Sequence, residues 1–215
     1  MTHEEQLLDS TFVKNADFKE FNFPITFEFK LGTLSNDFIA KDASDKTIAY
    51  VKQKMFRLKE TISVFSDESK SELKYKINAN KIIDFNASYE FTNNNDQVIG
   101  SVGRKGMRSI WRAHYEIFDP EKKSEFSISE ENPWAKVMDT LMSEIPLVGI
   151  FTGYVFNPKY GVKSKDGKTV ARLTKEKSFF GRKFKLEKLE NLNEGDSEQM
   201  LLSLMMMILL ERRRG

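Results

Sequence analysis

Residues 196–214 read DSEQMLLSLMMMILLERRR, and the eleven-residue run Met200–Leu210 within them decides the fold. Every position in the run except Ser203 is apolar, so a helix built from it is apolar on every face. Such a helix has to be surrounded, either by protein or by lipid. Eleven residues rise only about 16 Å as a helix, whereas a bilayer needs about twenty residues. Length therefore favours protein. A single sheet covers one side of a helix, but a closed barrel covers all of it. Asp196 or Ser197 is placed to cap the helix, Glu198 falls in its first turn, and Arg212, Arg213 and Arg214 stand at its end, as the macrodipole favours. The four Met residues of the run are read as adaptable core filling, not as a metal or cofactor site.

Upstream, the pattern is that of strands. Ile25, Phe27, Phe29 and Leu31 alternate with Thr26, Glu28 and Lys30, which predicts a half-buried strand. Further strand-like runs follow at about 48–58, 61–66, 72–78, 87–92, 97–104, 109–118 and 124–129. Ser66-Asp67-Glu68-Ser69 and Asn93-Asn94-Asn95-Asp96 supply turn chemistry between them, and Asp166-Gly167 joins runs at 153–164 and 168–176 as a hairpin. Strands in sequence with tight turns predict an antiparallel meander or barrel, not βαβ units. One segment breaks the rhythm. Asn132 can cap a helix beginning at Pro133, and Trp134, Val137, Met138, Leu141, Met142 and Ile145 form one apolar stripe before Pro146 stops it. An amphipathic helix over 133–145, lying outside the sheet, is expected. Residues 1–20 have mixed charge and little periodicity and are expected to form a loosely ordered lead-in, with 21–215 as a single domain.

The composition is that of an ordinary globular protein: 40% hydrophobic and 31% charged. There is no cysteine, which excludes disulfides, thiol nucleophiles and cysteine-ligated zinc. The stretch MTHEEQLLDSTF is acidic, with no basic or apolar signal region, so a cytoplasmic location is expected, including a peripheral position at the inner membrane surface. The net charge of +2 is unevenly spread. Between Lys159 and Lys188 there are eleven Lys and Arg against three Asp and Glu. Two readings follow: solvated outer faces of strands, or a surface facing an anionic membrane, nucleic acid or acidic protein.

Tyr50-Val51-Lys52-Gln53-Lys54-Met55-Phe56-Arg57-Leu58-Lys59-Glu60, followed by Val64-Phe65-Ser66-Asp67-Glu68, resembles the opening of the LURP-one-related family. The likeness continues through Tyr75-Lys76-Ile77, Ile83-Asp84-Phe85, Ile99–Gly106 and Met107–Ile117 to the C-terminal helix, covering about residues 48–212. That family belongs to the tubby C-terminal-like group, together with the phospholipid scramblases. The resemblance implies a closed antiparallel barrel of about twelve strands with the last helix threading its centre. It implies no enzymatic activity. Tubby proteins bind phosphoinositides through basic residues, and scramblase-like members suggest membrane association, so acidic phospholipids are an implied partner.

Chemistry is sparse elsewhere. On the strand 109–118, His114 alternates with Trp111, Ala113, Tyr115 and Ile117 and falls on the polar face, with no nucleophile signature beside it. Gly100, Gly103 and Gly106 lack the Lys-Ser/Thr of a phosphate loop and are read as turn glycines. Asp84 and Glu90 are isolated carboxylates. No cofactor or metal is expected. The reading is a non-enzymatic binding module. The residues expected to bind an anionic lipid surface are Lys163, Lys165 and Lys168 around the hairpin, with Arg182, Lys183 and Lys185 after Gly181. Phe179-Phe180 is expected to insert shallowly beside them. A secondary basic patch comprises Arg104, Lys105, Arg108 and Arg112. The alternatives are a protein-interaction scaffold with no lipid role, and binding of nucleic acid or a phosphate ligand, nucleic acid being the less favoured partner.

Deleting residues 197–215 is expected to leave the chain insoluble or molten. A truncated protein that stays monomeric and melts cooperatively would contradict the enclosed-helix reading.

Overall fold

The computed structural model describes residues 21–30, 36–54, 61–80, 85–105, 114–131, 158–176 and 183–212. These contain twelve strands: β1 (Ile25–Phe29), β2 (Phe38–Lys41), β3 (Thr47–Lys54), β4 (Thr61–Phe65), β5 (Leu73–Asn80), β6 (Phe85–Asn93), β7 (Val98–Lys105), β8 (His114–Phe118), β9 (Ser124–Glu130), β10 (Lys159–Ser164), β11 (Thr169–Glu176) and β12 (Lys183–Lys188). Each pairs antiparallel with its neighbour in sequence, and β1 pairs with β12, so the sheet closes on itself. Closure leaves no free edge to template aggregation. One helix, α1 (Glu194–Arg212), follows β12.

Alternation places one set of side chains inside. Phe27 stands opposite Ala40 on β2 and Phe184 on β12, and Val64 opposite Val51 and Tyr75, all on the inner face. Ile25, Phe27, Phe38, Ile62, Ile77, Phe91, Ile117, Ile128, Leu173 and Leu186 have no exposed surface. They meet α1, in which Met200, Leu202, Leu204, Met205, Met206, Met207, Ile208 and Leu209 are likewise fully buried. The helix that is apolar on every face is enclosed on every face. Ser203 is enclosed with them.

The helix begins a turn before the expected cap. Asn193 Oδ1 accepts the Asp196 backbone N–H at 2.8 Å, which makes Asn193 the N-cap, and its Nδ2 donates to Asp196 Oδ2 at 2.8 Å. Asp196 and Ser197 therefore lie inside the first turn. Ser197 donates its hydroxyl to the Asn193 carbonyl at 2.9 Å.

The mouth of the barrel at the start of α1 is closed by five turns of one kind. In each, the fourth residue donates its N–H to the carbonyl of the first: Asp45 to Asp42, Lys70 to Asp67, Asp96 to Asn93, Lys122 to Asp119 and Gly167 to Ser164. All five donors have positive φ, between 58° and 82°. A type I turn followed by a left-handed residue forms a bulge, and the strand register shifts beside every one of these turns. In four of them a side-chain carboxyl or amide organises the turn. Asp42 Oδ1 accepts from Ser44 and Lys46, Asp67 Oδ1 from Ser69, Asn93 Oδ1 from Asn95 and Gln97, and Asp119 Oδ1 from Lys123.

Several expectations are corrected. Sequence patterning marks no strand at 38–41, because this run does not alternate. Its outward Ile39 is 7% exposed, as is expected where a turn folds over the outer face: Lys70 Nζ stands 5.0 Å above the Tyr50 ring, and Tyr50 donates to Asp37 Oδ2 at 2.7 Å. Gly100 and Gly103 lie within β7, not in a turn. A Cβ at Gly100 would meet the Phe118 carbonyl oxygen at 2.8 Å and Gln199 Cγ at 3.0 Å. The missing side chain lets Gln199 of α1 reach the wall, where its Nε2 donates to the Ile99 carbonyl at 2.9 Å. The expected outer helix at 133–145, and 109–113 of the expected strand, lie outside the described residues. Among the described residues, no helix is long and apolar enough to cross a membrane.

Two measurements test this interior. Leu204→Ala is expected to cost about 2–5 kcal/mol in denaturant unfolding, since the enclosing wall cannot collapse onto the void. Glu198 gives a pH signature. Burial raises its carboxyl above the ordinary glutamate range, a hydrogen bond with the Tyr75 hydroxyl lowers it, and Glu194 raises it further, with a net upward shift. The protonated form is thus favoured in the fold. The associated stability is present below the unfolded pKa of about 4.3 and is lost as pH rises through the folded value. Glu198→Gln is expected to raise Tm at neutral pH, with the advantage over wild type vanishing toward about pH 4 in paired thermal melts.

Candidate functional site

The basic stretch forms three adjacent strands, β10, β11 and β12, on one side of the barrel. On the outer face, Lys185 stands opposite Thr174 and Lys183 opposite Glu176 across β12 and β11, while Arg172 stands opposite Gly161 of β10 and Glu187 of β12. Carboxylates from flanking elements reach these cations. Lys165 pairs with Glu125 at 2.7 Å, Lys168 with Glu190 at 2.8 Å and Lys185 with Glu187 at 3.0 Å. Lys183 stands 3.1 Å from Glu28 and 3.7 Å from Glu176. The hydrogen bond with Glu28 holds the Lys183 ammonium above the ordinary lysine range, and Glu190 does the same for Lys168. Lys163 is exposed and has no ion pair among the described residues. Arg182 and Phe179-Phe180 lie outside the described residues.

The two halves of the expected site are separated. Lys163, Lys165 and Lys168 flank the β10–β11 turn, at the mouth where α1 begins, and Lys165 acts there on Asp196. Lys183 opens β12 at the opposite mouth, with Lys185 two positions further along the wall. Between them runs the Arg172 contact. Glu131 reaches over β10 to place its two carboxylate oxygens 3.1 and 2.9 Å from Arg172 Nε. Gly161 leaves room for this crossing, because a Cβ there would meet Glu131 Oε1 at 2.9 Å.

The secondary patch is not gathered on the outer surface. Arg104 is 8% exposed and stands opposite Tyr115, on the inner face of β7, with its guanidinium 5.9 Å from the Tyr115 ring centre. Tyr115 donates to Glu211 Oε1 of α1 at 2.7 Å. Burial, followed by the charge of Glu211, pushes the Tyr115 and Tyr160 hydroxyls well above the ordinary tyrosine range. Glu130 adds to the effect on Tyr160. Arg104, Tyr115, Tyr160, Glu130 and Glu211 thus meet where α1 ends. Lys105 is the last residue of β7, and Arg108 and Arg112 lie outside the described residues.

The counterions Glu28, Glu125, Glu131 and Glu190 were invisible as such in the sequence. Glu28 sits far from Lys183 in the chain and reaches it only because β1 closes on β12. His114 lies on the outer face as expected, its Nε2 3.8 Å from Glu116. An open depression of about 320 Å³, lined by Phe23, Lys188, Leu189, Glu190 and Asn191, lies beside the start of α1. Among the described residues, no group of three or more His, Asp or Glu could hold a metal ion.

The LURP-one-related family model matches residues 47–187. An X-ray structure of a protein from Arabidopsis thaliana is similar at 14% identity with a TM-score of 0.48, covering 91% of this chain and 94% of that one. No curated protein matches. With most of the barrel wall, from β3 through β11 and nearly all of β12, inside the matched region, the chain belongs to the LURP-one-related family.

Proposed function

We propose that this domain is a non-enzymatic binding module that docks peripherally on acidic phospholipid headgroups, at the inner surface of a membrane. The observation that carries the reading is the concentration of eleven Lys and Arg against three Asp and Glu in 159–188, a stretch that contains three neighbouring strands of one wall, β10, β11 and β12. The filled lumen supports it from the other side. Where an open barrel would hold a small molecule, this one holds its own helix, so recognition falls to the outer surface. Near an anionic membrane each Lys or Arg contributes about 1 kcal/mol, falling off within a Debye length of about 8–10 Å. Four or five of them make binding useful and salt-sensitive.

A second reading, a protein-interaction scaffold, is favoured by one specific observation. Lys165, Lys168, Lys183 and Lys185 each already face a carboxylate. Sedimentation with phosphatidylserine-containing vesicles at low and high salt separates the two. The wild type is expected to bind at low salt and release at high salt. A variant with Lys163, Lys165, Lys168, Arg182, Lys183 and Lys185 changed to Glu is expected to stay in solution. Equal behaviour of the two proteins rejects the lipid reading and leaves the scaffold.

A further inference from the structure

Arg172 was not among the residues the sequence marked, yet it stands between the two halves of the basic wall. It lies on the outer face of β11, the middle strand of the three, opposite Gly161 of β10 and Glu187 of β12. Lys163 stands two positions beyond Gly161 on β10, and Lys185 two positions from Glu187 on β12.

Its counterion is seated in an unusual way. The Glu131 N–H donates to the Lys159 carbonyl at 2.8 Å, which puts Glu131 beside Lys159 on the next strand. The carboxylate does not pair with that lysine. It crosses Gly161 to Arg172, where both its oxygens converge on Nε–H, at 3.1 and 2.9 Å. Among the described residues, no hydrogen bond reaches Arg172 Nη1 or Nη2, and Lys159 has no carboxylate partner. Both side chains of the Arg172–Glu131 pair are part-exposed. A Cβ at Gly161 would meet Glu131 Oε1 at 2.9 Å, so the missing side chain keeps a floor clear for an oxyanion in front of the guanidinium.

We propose that Arg172 is an anion-recognition residue of this wall, taking the phosphate of an acidic phospholipid over the Gly161 floor, and that Glu131 is its built-in competitor, displaced when lipid binds. The proposal rests on the lipid reading above and adds to it a residue and its regulation. A guanidinium offers parallel N–H donors that match two phosphate oxygens, and Glu131 uses only one of the five. A part-exposed pair is exchanged at little cost when another anion arrives. The released carboxylate has a partner waiting in Lys159, so no bare acid is left facing the membrane. Away from a membrane, Glu131 neutralises Arg172. At contact, Arg172 joins Lys163 and Lys185.

The test follows partitioning and the Arg172 Nε–H resonance together, on bicelles of phosphatidylcholine with about 30% phosphatidylserine at low salt. The wild-type resonance is expected to move as lipid is added and to return at high salt. Bicelles of phosphatidylcholine alone are expected to leave it in place. Glu131→Gln is expected to strengthen partitioning at least about threefold. A second comparison involves no change in charge. Glu131→Gln with Arg172→Lys is expected to bind at least about threefold more weakly than Glu131→Gln alone, because lysine keeps the charge and loses the fork. A wild type that binds with its Arg172 resonance unmoved overturns the displacement while the lipid reading stands. So does a Glu131→Gln protein with no gain, or equal binding by the two charge-matched variants. The resonance is read on the native chain, so the test survives a variant that melts early. A wild type that does not bind these bicelles overturns both readings.

Discussion

Everything in this domain depends on enclosing a helix that has no polar face. Burying one Leu or Met side chain is worth about 1.5–3 kcal/mol relative to water, and α1 carries such side chains all round. No open sheet could cover them. The wall therefore has to close, β1 has to meet β12, and every strand has to offer an inward apolar set. Closure around α1 also fills the interior with the chain's own side chains.

The outer surface is a lattice of ion pairs, and their energetics matter to any account of binding. Lys165 and Glu125 keep 57% and 26% of their side-chain surface exposed, and Lys168 and Glu190 keep 58% and 39%. Exposed pairs of this kind contribute about 0–1 kcal/mol. They are exchanged at little cost when another anion approaches. What pairing alters more is the field at a distance, because a paired lysine looks neutral beyond a few ångströms. The net field is then set by the charges, of either sign, that have no close partner of opposite sign.

The sequence was most legible where one residue type recurred at one spacing. Met200–Leu210 dictated enclosure by itself, and Ile25, Phe27 and Phe29 alternated cleanly into β1. The Asn-rich turn after β6 and the Asp-Gly turn after β10 carried their own chemistry. Legibility failed where tertiary contact replaced pattern. Phe38–Lys41 is buried on both faces, so its alternation is erased. Lys183–Lys188 alternates well, yet its cations drew attention as a charge patch before they were seen as the outer face of β12. Gly100 looked like punctuation and proved to be the close approach that admits Gln199. Arg104 counted as surface charge until the register of β7 turned it inward to Tyr115. Asn193, the cap, stands three residues ahead of Asp196, the first of the two residues expected to serve as one. Glu28, a counterion of Lys183, had no local signal, because closure of the ring alone brings the two together.

The order of elements along the chain has a consequence for synthesis. The twelve strands precede α1, and the seam between Ile25 and Leu186 joins the first strand to the last. Hairpins between neighbours form early and locally, but the wall has nothing to close around until the helix has left the ribosome. During that interval the nascent chain presents a growing series of apolar strand faces with no core. Such intermediates are the species that aggregate or engage chaperones. The element on which all the strands depend is made after all of them, so the wall can close around its core only after the last element has emerged.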